Sequence, residues 1–232
     1  MGSVSDNLNA VKEKIRQAEE KSDRVKLTTL IAVSKTKPVE LIREAYDAGI
    51  RDFGENRVQE IVDKYPQLPD DIRWHLIGHL QTNKVKYIID KVAMIHSVDS
   101  LKLAQEISRQ AQKNNVVMDI LVEVNVSMEE TKFGVPVSDA EALIREISVL
   151  PGIRVRGLMT VAPPVQDPEE NRAVFCALRQ LLVDIDGKNI DNVFMDCLSM
   201  GMSGDYTVAI EEGATFVRVG TSIFGDRQYV QG

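Results

Sequence analysis

The sequence predicts an α/β fold in which eight parallel strands close into a single (β/α)₈ TIM barrel. Short apolar runs alternate with amphipathic helical patterns along all 232 residues. The connections are short, and no composition shift, repeat or low-complexity tract marks a boundary, so we expect one domain over residues 1–232. An open doubly wound sheet is the alternative, but the GxGxxG fingerprint expected after its first strand is absent.

An amphipathic helix precedes the barrel. It is predicted over Asn7–Lys21, where apolar residues recur at helical spacing among charged ones. We expect this N-terminal segment, residues 1–25, to pack against the barrel.

The first half of the chain supplies four strand and helix units. Each strand is a short run rich in apolar and β-branched residues, and each helix has an apolar stripe. Gly49 and Pro66 stop the first two helices, and Asp99 or Ser100 caps the fourth. The predicted elements are a strand within Leu27–Pro38, a helix from Pro38 to Gly49, strand Asp52–Glu55, a helix through Val58 and Tyr65, strand Arg73–Gly78, helix Thr82–Ile89, strand Ala93–Val98 and helix Leu101–Lys113.

The second half repeats this alternation. Its strands include the longest apolar run of the chain, and its last two strands end in residues rich in Gly and Ser. The predicted elements are strand Val116–Val126, a helix capped by Ser138, strand Ile153–Thr160, helix Pro168–Asp186, strand Phe194–Gly201, a helix from about Ser203 to Glu212 and strand Phe216–Val219.

Composition excludes several classes of protein. The net charge of −7 has both signs interspersed, so no basic stripe for nucleic acid or a membrane surface is present. No apolar segment is long enough to cross a bilayer, and the N-terminus lacks a secretory signal. Cys176 and Cys197 lie in apolar surroundings without metal-ligand spacing, which is typical of reduced core residues. We therefore expect a cytoplasmic monomer without a metal site.

The strand within Leu27–Pro38 stops abruptly at Lys35. Ile31, Val33 and Lys35 share one face of a strand, so burial of the first two residues aims the lysine the same way. An apolar floor and the nearby Lys37 should weaken proton binding by Lys35, which Schiff-base chemistry with an aldehyde requires. The alternative is a lysine that merely ends its strand in water.

Several residues at the ends of barrel strands should meet at one face, because the loops after parallel strands carry the chemistry of such barrels. They are Lys35, Asn56, His79, Met159, Ser199–Ser203 and Gly220–Ser222. The last two runs follow the seventh and eighth strands, where barrels commonly bind phosphate through backbone N–H groups.

Arg218 lies on the eighth strand, on the face opposite Val217 and Val219. If Arg218 points into the barrel, its charge must be paired or hydrogen-bonded at the centre. The alternative is an arginine that faces the outer helices and pairs with a carboxylate there.

Six motifs together resemble the YggS/PROSC family of pyridoxal 5′-phosphate (PLP) homeostasis proteins. They are AVSKTKP, FGENRVQE, WHLIGHLQTNK, GLMT, LSMGMSGD and VRVGTSIFG, and they occur in the order and spacing of the family over essentially the whole chain. The resemblance implies a barrel like the N-terminal domain of alanine racemase, with PLP held as an internal aldimine on Lys35.

The resemblance also implies roles for other residues. Asn56 would belong to the cofactor pocket, Ser203, Gly220 and Thr221 would hold the phosphate, and Arg218 would face the pyridine nitrogen. His79 and Met200 would line the pocket, and Lys132 matches a family lysine that can take part in PLP handling.

The implied function is PLP storage and delivery to apo-enzymes without robust turnover. An arginine at the pyridine nitrogen makes the ring a poor electron sink, and the catalytic tyrosine and second domain of alanine racemase have no counterpart among the motifs. A PLP-dependent amino-acid enzyme such as a weak racemase is one alternative. A class I aldolase-like barrel that uses Lys35 on a sugar phosphate is the other.

Overall fold

The computed structural model describes residues 2–22, 27–129 and 131–225. Strands β1 to β9 of this part of the chain are Thr29–Val33, Asp52–Glu55, Arg73–Leu76, Val92–Val98, Met118–Asn125, Val135–Pro136, Ile153–Met159, Val193–Met202 and Phe216–Val219. All of them except β6 form a closed parallel ring, because β4 pairs with β5 and β9 pairs with β1. The predicted eight-stranded barrel is confirmed, and the open sheet is excluded.

Helices surround this ring. In chain order, α1 to α8 are Val4–Lys21, Val39–Asp47, Val58–Lys64, Leu101–Lys113, Val137–Ser148, Arg172–Asp186, Tyr206–Glu211 and Thr221–Phe224. Three short 3₁₀ segments complete the described part, at Tyr65–Gln67, Thr82–Tyr87 and Pro168–Asn171.

Helix α1 begins three residues earlier than the apolar pattern predicts. Ser3 and Asp6 form a capping box, in which the Ser3 hydroxyl accepts from the Asp6 N–H and the Asp6 carboxylate accepts from the Ser3 N–H. The apolar side of α1 packs against α2, α7 and α8. Of the predicted segment 1–25, residues 1 and 23–25 lie outside the described residues.

Two local predictions are wrong. Thr82–Ile89 is not an α-helix, because its six helical residues form 3₁₀ turns such as Lys84 N–H to Gln81 O. Ser138 does not cap α5. Pro136 ends β6 in an extended conformation and α5 begins at the next residue, so Ser138 already lies in the first turn and donates to Asp139.

The core has two parts. A large apolar cluster fills the space between the strands and the helices, and a smaller one, formed by Met94, Leu121, Met159 and Cys197, fills part of the barrel interior. Cys197 is buried as predicted, whereas Cys176 is only half-buried on α6, and neither cysteine forms a disulfide within the described residues. No helix in the described ranges is long and apolar enough to cross a membrane.

Candidate functional site

A cavity of about 350 Å³ opens at the carboxyl ends of the barrel strands. Val33 and Met202 line it from the last positions of β1 and β8, and Asn56 and Gly220 line it just beyond β2 and β9. Its volume suits a small ligand, since ligand pockets begin at about 300 Å³. The other lining residues are Lys35, Lys37, Ile77, Val161, Ser203, Gly204, Arg218, Thr221 and Gly225.

Lys35 lies two residues beyond β1 and is half-buried at the cavity wall. Ile31 and Val33 are buried, and Val33 lines the cavity beside the lysine, as the strand pattern predicts. The next residue, Thr36, has a φ of 62°, which is uncommon for a β-branched residue. The backbone therefore turns sharply directly after Lys35.

A buried ion cluster holds this turn. The Lys64 ammonium donates to the Ser34 carbonyl at 2.9 Å and to Glu55 and Glu60 at 2.8 Å each. Glu60 also accepts from the Thr36 N–H, and the Ser34 hydroxyl donates to Glu55. The residues on both sides of Lys35 are thus tied to the same cluster.

Glu55 is fully buried within that cluster. Burial raises the pKa of its carboxyl to about 7, although Lys64 and Ser34 act in the opposite direction. Sequence reasoning missed Glu55, Lys64 and Glu60 as support for Lys35. The four-residue spacing of Glu60 and Lys64 on α3 is an available signal, but it is typical of any exposed helix pair.

The second lysine of the loop, Lys37, reaches the C-terminal end of α8. Its ammonium donates to the carbonyls of Phe224 and Gly225 at 3.1 and 2.9 Å. Cationic donors are favoured at helix C-termini, where carbonyls lack intrahelical partners. Lys37 therefore joins the loop after β1 to the helix after β9, across one edge of the cavity.

Small residues form a second edge of the cavity, between the segments that follow β8 and β9. The Gly220 N–H donates to the Ser203 hydroxyl at 3.2 Å, which brings the loops after β8 and β9 together. A Cβ on Gly220 would lie 3.2 Å from the Val33 carbonyl oxygen, so glycine allows β1 and β9 to approach closely here. Thr221 follows as the first residue of α8, where backbone N–H groups have no intrahelical acceptor. This edge offers hydroxyls and amides to an anion.

Hydrogen bonds to the buried carboxylate of Asp205 hold the loop that carries Ser203. One carboxylate oxygen accepts from the Met202 N–H at 2.7 Å, and the other accepts from the Asn171 side chain at 2.8 Å. Asn171 also donates to the Pro163 carbonyl. Sequence reasoning missed both residues, because their pairing joins positions far apart in the chain.

Arg218 points into the barrel. Val217 and Val219 are fully buried on the other face of β9, which leaves the arginine on the inner face. Its two terminal nitrogens donate to the Ser199 hydroxyl at 2.6 Å and the Thr160 carbonyl at 2.8 Å. Burial lowers the pKa of the guanidinium to about 10. The structure therefore decides between the two orientations that the sequence left open.

Six of the nine residues to which the resemblance gives a role line the cavity. Met200 does not line it, because its side chain is fully buried in the core, and Met202 takes a place at the wall instead. His79 stacks on Phe133 at 4.1 Å and lies 3.6 Å from the Asp99 carboxylate, outside the lining. Lys132, half-buried in the loop after β5, is also outside the lining. The six are Lys35, Asn56, Ser203, Arg218, Gly220 and Thr221.

Comparison with known proteins gives one consistent result. The family described as the alanine racemase N-terminal domain matches residues 7–228. A pyridoxal phosphate homeostasis protein of Aquifex aeolicus is 49% identical over 97% of this chain and 98% of its own length. A protein of the same name from Pseudomonas aeruginosa is 42% identical over 99% of this chain and 98% of its own length.

Solved structures agree with this relationship. PipY of Synechococcus elongatus with PLP bound superposes with a TM-score of 0.83 at 35% identity, and covers 96% of this chain and 100% of its own. An alanine racemase of Clostridium difficile gives a TM-score of 0.75 at 15% identity, with 98% of this chain and 58% of its own covered, and shares the fold.

Proposed function

The chain belongs to the YggS/PROSC family of pyridoxal phosphate homeostasis proteins, within the alanine racemase N-terminal domain fold, and we propose that it stores PLP on Lys35 and supplies it to apo-enzymes. The observation that carries this proposal is the convergence at one cavity of a lysine amine, a fixed guanidinium and an anion-binding edge of small residues. An aldehyde, a ring nitrogen and a phosphate are the three groups of PLP that such partners would bind.

The cavity fits these three groups on chemical grounds. Lys35 supplies the amine that condenses with the aldehyde, with release of water. The Gly220 and Thr221 backbone and the Ser203 and Thr221 hydroxyls offer donors for the phosphate, and the absence of a side chain on Gly220 lets this segment lie against Val33. Asn56 supplies a further polar group at the wall. When bound, PLP would add an electrophilic carbon that is also reactive toward free amines.

We propose that Arg218 faces the ring nitrogen. A guanidinium can only donate hydrogen bonds, so it favours the unprotonated form of a pyridine nitrogen. An unprotonated ring withdraws electrons less strongly from carbon atoms attached to it. This arrangement supports retention of PLP and disfavours carbanion chemistry on amino acids, which is the reason that we propose a carrier and not an enzyme.

A transfer assay tests the carrier proposal. The loaded protein is mixed with an apo-enzyme that requires PLP, in the presence and absence of a scavenger of free aldehyde, and recovery of that enzyme's activity is followed. The proposal expects recovery despite the scavenger. In parallel, amino acids in deuterated water should show no exchange of the α-proton above the buffer rate. Rapid exchange or racemisation would establish the enzyme alternative.

We further propose that the protein acts in the cytoplasm as a monomer. Neither cysteine forms a disulfide within the described residues, which fits a reducing compartment. Sedimentation of the loaded protein at several concentrations tests the monomer, and a concentration-dependent increase in mass would contradict it.

A further inference from the structure

A continuous line of polar side chains crosses the barrel interior beneath the cavity. At its outer end, Asp52 accepts at 3.0 Å from His75, whose other ring nitrogen lies 2.9 Å from His96. The second nitrogen of His96 lies 2.9 Å from the Ser199 hydroxyl, which also accepts from Arg218 at 2.6 Å. Four hydrogen bonds therefore link the amino-terminal end of β2 to the arginine at the cavity.

The line is shielded from water along its length. His96 and Ser199 are fully buried, and His75 is 3% exposed. Phe216 packs against both imidazoles, with ring centroids 5.6 and 5.5 Å apart. Solvent reaches the line at Asp52, which pairs there with the exposed Arg73 side chain. Hydrogen bonds in such an interior polarise one another more strongly than in water.

The residues at the two ends of the line determine which partner donates in each of its hydrogen bonds. The guanidinium of Arg218 carries N–H donors and no acceptor atom, so Arg218 is the donor in its hydrogen bond to Ser199. At the other end, burial would raise the pKa of Asp52, but hydrogen bonds from His75 and Arg73 hold it below its usual range. The carboxylate therefore accepts, and His75 carries its proton on Nε2.

The middle of the line then has one fully satisfied arrangement. Within the described residues, His96 Nδ1 and Arg218 are the two hydrogen-bond partners of the Ser199 hydroxyl, and Arg218 can only donate, so the hydroxyl proton goes to His96. His96 in turn donates from Nε2 to Nδ1 of His75. The reverse direction requires a doubly protonated His75 and leaves the buried Ser199 proton without an acceptor, which is costly.

We infer that Asp52, His75, His96 and Ser199 form a one-directional hydrogen-bond chain that positions Arg218 toward the cavity. The inference rests on the proposed function in one respect, namely that Arg218 contacts the ring nitrogen of PLP. Ser199 is held as an acceptor for the guanidinium, and the Thr160 carbonyl holds the second terminal nitrogen. The hydrogen bonds to Ser199 and Thr160 restrain the Arg218 guanidinium. Neither residue lines the cavity, so the orientation of Arg218 depends on residues that do not contact the ligand.

The first test uses the unaltered protein without PLP. Long-range ¹H–¹⁵N correlation spectra of imidazole nitrogens report which ring nitrogen carries a proton. The inference predicts that both His75 and His96 are neutral and protonated on Nε2. A doubly protonated His75, or a proton on Nδ1 of either ring, would overturn it.

The second test asks whether the chain positions Arg218. Ser199→Ala should speed hydrogen exchange of the Arg218 guanidinium in the PLP-free protein and, in the loaded protein, weaken PLP binding about tenfold, the usual effect of losing one hydrogen bond to a charged group. Ser199→Thr, which keeps the hydroxyl, should restore both. Met94→Leu, a volume-conserving change in the same interior, should alter neither.

The outcomes separate the inference from the proposed function. Unchanged guanidinium exchange in Ser199→Ala would overturn the positioning role whether or not PLP binds. If the unaltered protein never attaches PLP to Lys35, the proposed function fails, and the tautomers together with the guanidinium exchange still decide the inference.

Discussion

The buried carboxyl of Glu123 gives a quantitative test of the electrostatics inside the barrel. Glu123 lies near the end of β5 and is almost completely buried, and its Oε2 atom has no hydrogen-bond partner among the described residues. Burial and the nearby Asp99 carboxylate raise its pKa from 4.5 to about 7, against the attraction of Arg218. Glu123→Gln replaces the protonated acid with a neutral side chain of the same shape.

The raised pKa of Glu123 determines whether folding stability rises or falls with pH. Between pH 4.5 and about 7 the unfolded chain releases a proton that the folded protein keeps, so stability is lost as the pH rises through this window. The full penalty is about 3 kcal/mol, at about 1.4 kcal/mol for each pH unit. A glutamine side chain cannot ionise, so the Glu123→Gln variant escapes the penalty.

Urea unfolding of the PLP-free protein at pH 5 and pH 8.5 measures this effect. The stability of Glu123→Gln relative to the unaltered protein should increase by about 2–3 kcal/mol between these two pH values. Glu146→Gln, the same change at an exposed position on α5, should shift by less than about 0.5 kcal/mol. An equal difference at both pH values for Glu123→Gln would contradict a raised pKa at this carboxyl.

Three further substitutions test the site. Lys64→Met leaves Glu55 buried without its cation and should cost about 3–5 kcal/mol in urea unfolding, whereas Arg109→Gln, which breaks an exposed helix pair, should cost less than about 1 kcal/mol. A similar loss of stability in Lys64→Met and Arg109→Gln would mean that the ion cluster around Lys64 does not stabilise the loop that carries Lys35. Lys35→Ala should leave circular dichroism and the unfolding midpoint nearly unchanged but abolish covalent PLP attachment; if attachment persists, Lys37 or Lys132 is the anchor. Arg218→Ala should speed PLP loss or shift its absorbance, and a variant equal to the unaltered protein in both would place Arg218 away from the ring.

Local pattern was sufficient to predict most of the fold. The period-two face of β1 correctly placed Val33 and Lys35 at one wall, because strand alternation depends only on neighbouring residues. The segment Thr82–Ile89 was mistaken for an α-helix, since apolar spacing alone does not distinguish α from 3₁₀ turns. Thr82, Asn83 and Val85 have low helix propensity, and six residues are too few to offset it.

Tertiary partners could not be predicted in the same way. The orientation of Arg218 depends on Ser199 and Thr160, which lie 19 and 58 residues away in the chain. The line through His75 and His96 forms only when neighbouring barrel strands are in register. Such pairs leave no periodic signal in the sequence, so the polar interior of the barrel required the structure.

Attachment of PLP to Lys35 is tested most directly by the absorbance spectrum of the purified protein incubated with PLP, before and after borohydride reduction, followed by peptide mapping. We predict a band in the violet that disappears on reduction, with the pyridoxyl group fixed on the peptide that contains Lys35. A protein that stays colourless with PLP, or an adduct that maps only to other lysines, would contradict the proposed storage of PLP on this lysine.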